Sequence, residues 1–375
     1  MSPSEPPSEP PSGSAAEQEA DRHAARRARL AAAVSTQADV DLVLIVDLAN
    51  VRWLTGFTGS NGAVLVGPDG DAVLATDGRY ADQAAEQCPG LPLRIGRDLF
   101  GLVIEAAGPG SRRCAVETHV LSVDDYATLG ERVPSWQLLS TGRAVEALRV
   151  VKDELELAAI GRASAISTQA LSDLWAGPLV GRTERDVARD LEWRMYALGA
   201  EAIAFETIVA TGPHSAVPHH EPTERPLAAG DLLKIDFGAR VDGYCADCTR
   251  TVVLRSGADW QREAHAAVRA AQSTGVRALV PGTPVADVDT SVREELGDWA
   301  TWFTTGLGHG IGLAIHEDPF LSVRHAGRLA SRTPVTMEPG VYLPGRGGVR
   351  IEDTVVVDDD PVVLTDLTTE LLVVG

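Results

Sequence analysis

Carboxylates recur at hairpin spacings along this chain. The run LLKIDFGARVDGYCADCTRTVV, residues 232–253, reads as two strands around a turn. Val, Ile and Thr favour strands, and Asp242-Gly243 supplies turn chemistry. With the turn centred between Val241 and Asp242, Asp236 and Asp247 stand opposite one another on one face. Their Cβ atoms are then about 4.5–5.5 Å apart, the spacing of a cross-strand pair. Opposed like charges destabilise a sheet, and a bound cation turns that cost into a gain. The bland alternative is a solvated hairpin end, a common use of Asp. A second run, TPVTMEPGVYLPGRGGVRIEDTVVV, residues 333–357, repeats the design. Here Glu338 and Glu352 are symmetric about Gly345, each among apolar neighbours. Between the hairpins lies GLGHGIGLAIHE, residues 306–317. Its glycines remove side chains around His309 and let the backbone approach a neighbour closely.

Asp236, Asp247, His309, Glu338 and Glu352 form a mainly hard oxygen set. Such a set suits Mn²⁺, Co²⁺ or Fe²⁺ better than a structural zinc, which favours thiolates. Four carboxylates exceed the need of one divalent ion and point to two metals.

The order Asp–Asp–His–Glu–Glu, in the contexts KIDFGA, YCADCTRT, GLGHGIG, MEPGVY and GVRIEDT, resembles the pita-bread metallopeptidases, and among them the Xaa-Pro aminopeptidase and prolidase branch. The likeness runs from about Asp39 to the C-terminus. It implies two divalent ions per chain, Mn²⁺ first, with Co²⁺, Fe²⁺ or Zn²⁺ as alternatives. Asp247 and Glu352 would touch both ions, and Asp236, His309 and Glu338 would complete the set. By the same resemblance Glu338 carries a proton from water to the leaving amine. His219, in ATGPHSAVPHH, meets the scissile carbonyl, and His316, in AIHE, lies near the leaving proline. His214 and His220 are read as bystanders. Tyr342 and Arg350 resemble the residues that orient Asp236.

Two features depart from the family pattern. Where small prolidase-like members often carry Arg after His-Glu-x-Pro, Phe320 stands here, with Arg324 nearby as a substitute carboxylate partner. Ser331-Arg332 replaces the usual Pro-Gly before the second hairpin. The expected activity is hydrolysis of the bond between an N-terminal residue and proline, an Xaa-Pro aminopeptidase. The alternatives are an Xaa-Pro dipeptidase (prolidase) and, more remotely, a non-catalytic pita-bread binding protein.

The elements that must position these residues divide the chain. Residues 1–21 are Pro/Ser/Glu-rich and read as a disordered extension. Residues 22–147 read as an α/β domain, similar to the creatinase/prolidase N-terminal domain: a helix over 22–37, then a buried strand of the parallel-sheet kind within 41–57. Further strands lie at 63–66, 72–75, 93–95 and 113–117, with helices toward Gln87 and over 100–107. Trp53 and Arg79 are candidates to touch a substrate or a neighbouring subunit. Residues 148–375 read as an α+β pita-bread domain. Helices over 153–175 and 184–198 precede the Asp hairpin; helices over 259–279 and 284–299 precede the Glu hairpin. This pseudo-two-fold repeat places one carboxylate pair on each half.

A net charge of −20 argues against nucleic acid as a partner. The expected partners are proline-containing peptides and a second copy, giving a homodimer. Cys245 and Cys248 form a C-x-x-C with no second pair, and read as strand packing rather than zinc or redox chemistry. No apolar segment suggests a signal peptide or a membrane span, so a cytoplasmic location is expected.

Overall fold

The computed structural model describes residues 15–36 and 39–375, and elements are counted among these. Contacts divide the chain between Leu148 and Arg149 into two compact units.

In the N-terminal unit, the first helix spans Ala15–Ser35. Residues 15–21, expected within the disordered extension, are therefore helical. AAEQEA is rich in strong helix formers, and later turns bury His23, Arg26, Leu30 and Val34. Residues 1–14 lie outside the described residues. The sheet has six strands in the order Leu93–Ile95, Ala72–Thr76, Gly62–Val66, Leu42–Ile45, Arg112–Val116, Trp136–Ser140. It is mixed. The strand expected to be of the parallel kind, Leu42–Ile45, pairs in parallel with Arg112–Val116 but antiparallel with Gly62–Val66. The sequence reading missed the strand Trp136–Ser140 and the helix Val123–Arg132 before it. Trp53 is not available to a substrate: it is 2% exposed, with the Arg26 guanidinium 4.6 Å from its ring centre.

The second unit repeats helix, helix, hairpin. Helices Glu154–Trp175 and Glu184–Ala197 precede the strands Leu232–Phe237 and Cys248–Leu254. Helices Asp259–Ala278 and Val285–Leu296 precede the strands Pro334–Met337 and Asp353–Val356. Each half has its own core. Leu171, Val187 and Leu191 pack against Leu233, Ile235 and Phe237 in the first. Val268, Val288 and Val292 pack against Val335, Met337 and Val355 in the second. An isolated bridge between Thr249 and Glu352 joins the two sheets.

The Asp hairpin differs from expectation in register. Asp236 faces Thr249, not Asp247. Asp242 and Gly243 have φ of 50° and 81°, so both take the left-handed conformation of the two central residues of a type I′ turn. That centres the turn one residue later than expected and shifts the pairing by two. A shift of two keeps each side chain on its own face. Asp247 thus stays on the face of Asp236 as its diagonal neighbour, in a break between the strands Tyr244–Cys245 and Cys248–Leu254. The Glu hairpin keeps the expected symmetry. Met337 pairs with Asp353 and Gly340 with Arg350, which leaves Glu338 opposite Glu352 between the two ladders.

Cys245 and Cys248 are buried free thiols. Where Ser331-Arg332 replaces Pro-Gly, Arg332 takes the left-handed conformation natural to glycine, with φ 65°. For a residue with a side chain that costs about 1–2 kcal/mol.

Candidate active site

Asp247, Glu338 and Glu352 at breaks in the ladders, with Asp236 on a paired strand and His309 on a short one, bring the five predicted ligands together. Asp236, Asp247, His309 and Glu352 are buried, at 7%, 5%, 7% and 1% exposure, and Glu338 is partly so. Donor atoms of Asp247, His309 and Glu352 all lie within 4.8 Å of one another. His309 Nε2 is 3.7 Å from Asp247 Oδ2 and 3.5 Å from Glu338 Oε1.

His309 is held by its neighbours on both sides. It sits on the short strand Gly308–Gly310, and its amide donates to Thr336 Oγ1 at 3.0 Å. The flanking glycines are a packing requirement. A Cβ on Gly308 would lie 2.0 Å from the Thr336 carbonyl oxygen, and one on Gly310 2.2 Å from that of Asp318. The Nδ1 nitrogen donates to the Gly310 carbonyl at 3.0 Å. Burial lowers the His309 pKa, so the ring is neutral, and its Nε2 lone pair points at the carboxylate oxygens. Acceptor atoms gathered within 4 Å of one another suit a bound cation.

The carboxylates say the same. Burial first, then the charges of Glu352, Asp236 and Glu338, pushes Asp247 well above the usual carboxylate range. Glu352 is raised by burial and by Glu338 and Asp236. Glu338 is pushed up to about 7, chiefly by burial. Asp236 Oδ1 is buried without a hydrogen-bond partner, while its Oδ2 accepts from Arg350. Four carboxylates with one guanidinium among them leave negative charge that a divalent ion would neutralise. The donor set and the orphaned oxygen therefore fit such an ion.

Supporting groups fix these orientations. Arg350, 2% exposed, also donates to Tyr342 Oη at 2.9 Å and to Thr249 Oγ1 at 3.0 Å. Arg350 thus links Asp236 to Tyr342 and Thr249. Thr249 donates to Glu352 Oε2 at 2.6 Å, and Thr336 to Glu338 Oε1 at 3.2 Å. The sequence reading missed these threonines, although each is two residues from a ligand or opposite one.

His219 and His316 line the same cleft of about 390 Å³, together with all five candidate ligands. His316 packs edge-on against His309, with ring centres 4.4 Å apart, and burial lowers its pKa. The residue after it, Glu317, is a further feature the sequence reading missed. It is buried between Arg149 Nη2 at 2.5 Å and Lys152 Nζ at 2.9 Å, and accepts the Ala314 amide at 3.0 Å. This triad pins the loop of His316. The loop of His219 is tied down by Lys234, a fully buried side chain whose Nζ donates to the Val217 and Pro218 carbonyls at 2.6 and 3.2 Å. His214 and His220 are not bystanders, for both bond the buried Glu184 at 3.0 and 2.9 Å.

Arg324 is not brought to the cleft; its amide donates to Ser322 Oγ beyond the strand Glu317–Leu321. Phe320 pairs with His309 across the ladder, its ring centre 6.5 Å from that imidazole and 5.4 Å from His325. A hollow of about 610 Å³ in the N-terminal unit is lined by Asn61, Asp77, Gly78, Arg79 and Arg97. Its Asp77 is already paired with Arg79 at 2.8 Å, so it lacks the unneutralised charge of the carboxylate cleft.

The sequence and the fold both have relatives among known proteins. A model of metallopeptidase family M24 matches residues 158–359, and one of the creatinase/prolidase N-terminal domain matches residues 26–151. A Xaa-Pro dipeptidase of Pyrococcus furiosus is 38% identical over 323 residues, which span 86% of this chain and 92% of that protein. The structure of a Xaa-Pro dipeptidase from Bacillus anthracis superposes with a TM-score of 0.89 at 31% identity, covering 94% of this chain and all of that one. An X-Pro aminopeptidase from Thermotoga maritima gives 0.84 at 32% identity, covering 91% and 99%. The second unit thus has the pita-bread fold, and the chain belongs to metallopeptidase family M24, with a creatinase/prolidase N-terminal domain ahead of the peptidase domain.

Proposed function

We propose that this metallopeptidase removes an N-terminal residue preceding proline, and that it accepts peptides that continue beyond the proline. The observation that carries the length preference is the charge of the cleft. Among the described residues lining it, the only Lys or Arg is Arg350, already committed to Asp236, Tyr342 and Thr249. A dipeptidase binds the free carboxylate of its substrate, for which an Arg fork is the natural partner. No uncommitted Lys or Arg is available here, and Phe320 stands where that Arg often does.

Asp236, Asp247, His309, Glu338 and Glu352 would hold two divalent ions, Mn²⁺ first among the candidates. Such ions, when bound, polarise a carbonyl and make a nucleophile of water at neutral pH. The chain supplies the rest. Glu338 takes the proton from the attacking water and delivers it to the proline nitrogen as the C–N bond breaks and the C–O bond forms. His219 donates to the scissile carbonyl oxygen as negative charge develops there. His316 borders the proline side. Arg350 holds the orientation of Asp236.

The competing reading, a dipeptidase acting on Xaa-Pro alone, is favoured by the names of the Pyrococcus and Bacillus relatives. The two are separated by kcat/KM for Ala-Pro and Ala-Pro-Ala, with metal-stripped enzyme and after Mn²⁺ or Co²⁺ is restored. The expected result is metal-dependent cleavage of the tripeptide at least as fast as the dipeptide. Strong preference for Ala-Pro overturns this reading. If Arg324→Ala then abolishes the preference, Arg324 is the carboxylate clamp.

A further inference from the structure

Glu184 is the first residue of the helix Glu184–Ala197 and is fully buried, yet its carboxylate points at the loop that carries His219. Five donors converge on it. Oε1 accepts the Thr211 amide at 2.8 Å and His214 Nδ1 at 3.0 Å. Oε2 accepts His220 Nε2 at 2.9 Å, the Thr223 amide at 3.0 Å and the Thr223 hydroxyl at 2.7 Å. The chain leaves its strand at Thr211, swings out to present His219 and returns at Thr223. One carboxylate therefore closes both ends of that excursion and holds the residue next to His219.

The same three side chains, Glu184, His214 and His220, have donor atoms close enough to hold a metal. The hydrogen bonds argue against it. Five donors fill the roughly four lone-pair sites of a carboxylate, and both imidazoles turn nitrogens toward it, leaving no lone pair for a cation. Burial pushes the Glu184 pKa up, but the bonds from Thr223, His220 and Thr211 outweigh it and hold the group below its ordinary value.

We propose that Glu184 is a positioning residue for the peptidase reaction, which ties the base of loop 212–222 and so fixes His219 at the cleft. The role given to His219 rests on the function proposed above; the tying of the loop does not. A Gln at 184 offers one acceptor oxygen and turns an NH₂ toward donors. The histidines can switch tautomer to meet it, but the Thr211 and Thr223 amides cannot.

The test uses the full chain loaded with Mn²⁺, as wild type, Glu184→Gln, His219→Ala and the double variant. Misplacement by about 1 Å can cost about 10²-fold in rate, so Glu184→Gln is expected to lower kcat for Ala-Pro-Ala by about 10–100-fold, with metal content unchanged. His219→Ala should cost about 10²–10³-fold, the range for losing one such donor. The double variant should be no slower than His219→Ala, because Glu184 acts through His219. Hydrogen exchange across residues 211–223 should speed up in Glu184→Gln by about tenfold or more, the factor for about 1.4 kcal/mol of lost protection, while the strand Leu232–Phe237 stays protected. Multiplicative losses in the double variant, loss of metal, or unchanged exchange would each overturn the proposal. If wild type cleaves no Xaa-Pro peptide, the proposed function falls, and exchange alone decides whether Glu184 ties the loop. If Glu184→Gln does not fold, Thr223→Val removes a single donor and enters the same cycle, with the same pattern expected at smaller amplitude.

Discussion

Glu338→Gln tests whether the carboxylate cluster is a charge centre under strain in the absence of metal. Burial, with a smaller push from Asp236 and against the pull of Arg350, raises the Glu338 carboxyl from 4.5 to about 7. The folded pKa lies above the unfolded one, so the folded protein holds this proton more tightly. The stability it contributes is fully present below about pH 4.5 and is lost as pH rises through about 7. At about 1.4 kcal/mol per pKa unit, that loss is about 3 kcal/mol. A domain of this size shifts by about 2–4 °C per kcal/mol, hence about 6–12 °C in Tm. Thermal unfolding would be followed from pH 4.5 to 8 for metal-stripped wild type and Glu338→Gln. Wild type should lose about 6–12 °C more than the variant over that range, a difference in which the pH dependence of the N-terminal unit cancels. Mn²⁺ should abolish the wild-type loss, because a cation favours the charged carboxylate. Parallel pH profiles for the two metal-free proteins would refute the reasoning.

Glu352→Gln and Asp247→Asn should each abolish peptidase activity and lower bound metal, measured by elemental analysis, while the N-terminal unit keeps its own unfolding transition; full metal occupancy with normal turnover would exclude both as ligands. Gly308→Ala places a Cβ 2.0 Å from the Thr336 carbonyl oxygen at a φ of 157°. It should displace His309 and weaken Mn²⁺ binding by about tenfold or more in calorimetry, the size of effect seen when the orientation of a ligand is disturbed. Unchanged affinity would show that the strand has room to move.

Much of the site was legible because its signals are local. Each candidate ligand stands in a strand or turn whose residue types mark it, and the symmetric spacing of Glu338 and Glu352 gave the correct register. The Asp hairpin shows where that logic stops. Symmetry alone put the turn between Val241 and Asp242, whereas the backbone needs its two positive-φ residues, Asp242 and Gly243, at the centre. The parity of the strand rescued the face but not the partner. What was illegible depends on distant pairing. Nothing near His214 or His220 in the sequence points to Glu184, about 30 residues earlier, and nothing near Glu317 points to Arg149 and Lys152, more than 160 residues away. Trp53 failed for a related reason: an aromatic beside a turn motif reads as available until a preceding helix lays an arginine across it.

The two hairpins share a device that brings the candidate ligands together. In an unbroken ladder, opposed carboxylates would be fixed at the strand spacing, with their amides spent on each other's carbonyls. Here the ladders break at Asp247, Glu338 and Glu352, and backbone groups at or near the breaks bond outside their own hairpin. The Glu352 amide donates to Thr249 of the Asp hairpin at 3.0 Å, and the Glu338 amide to Leu307, beside the His309 strand, at 2.9 Å. The Cys245 amide, two residues before Asp247, donates to Gly312 at 2.9 Å. Side chains follow the same pattern, since Thr249 bonds Glu352, Thr354 bonds the Asp247 carbonyl, and Arg350 bonds Asp236. Each half of the repeat thus supplies donors that orient the carboxylates of the other. A buried cluster of like charge is costly in either half alone, and this exchange of donors offsets part of that cost.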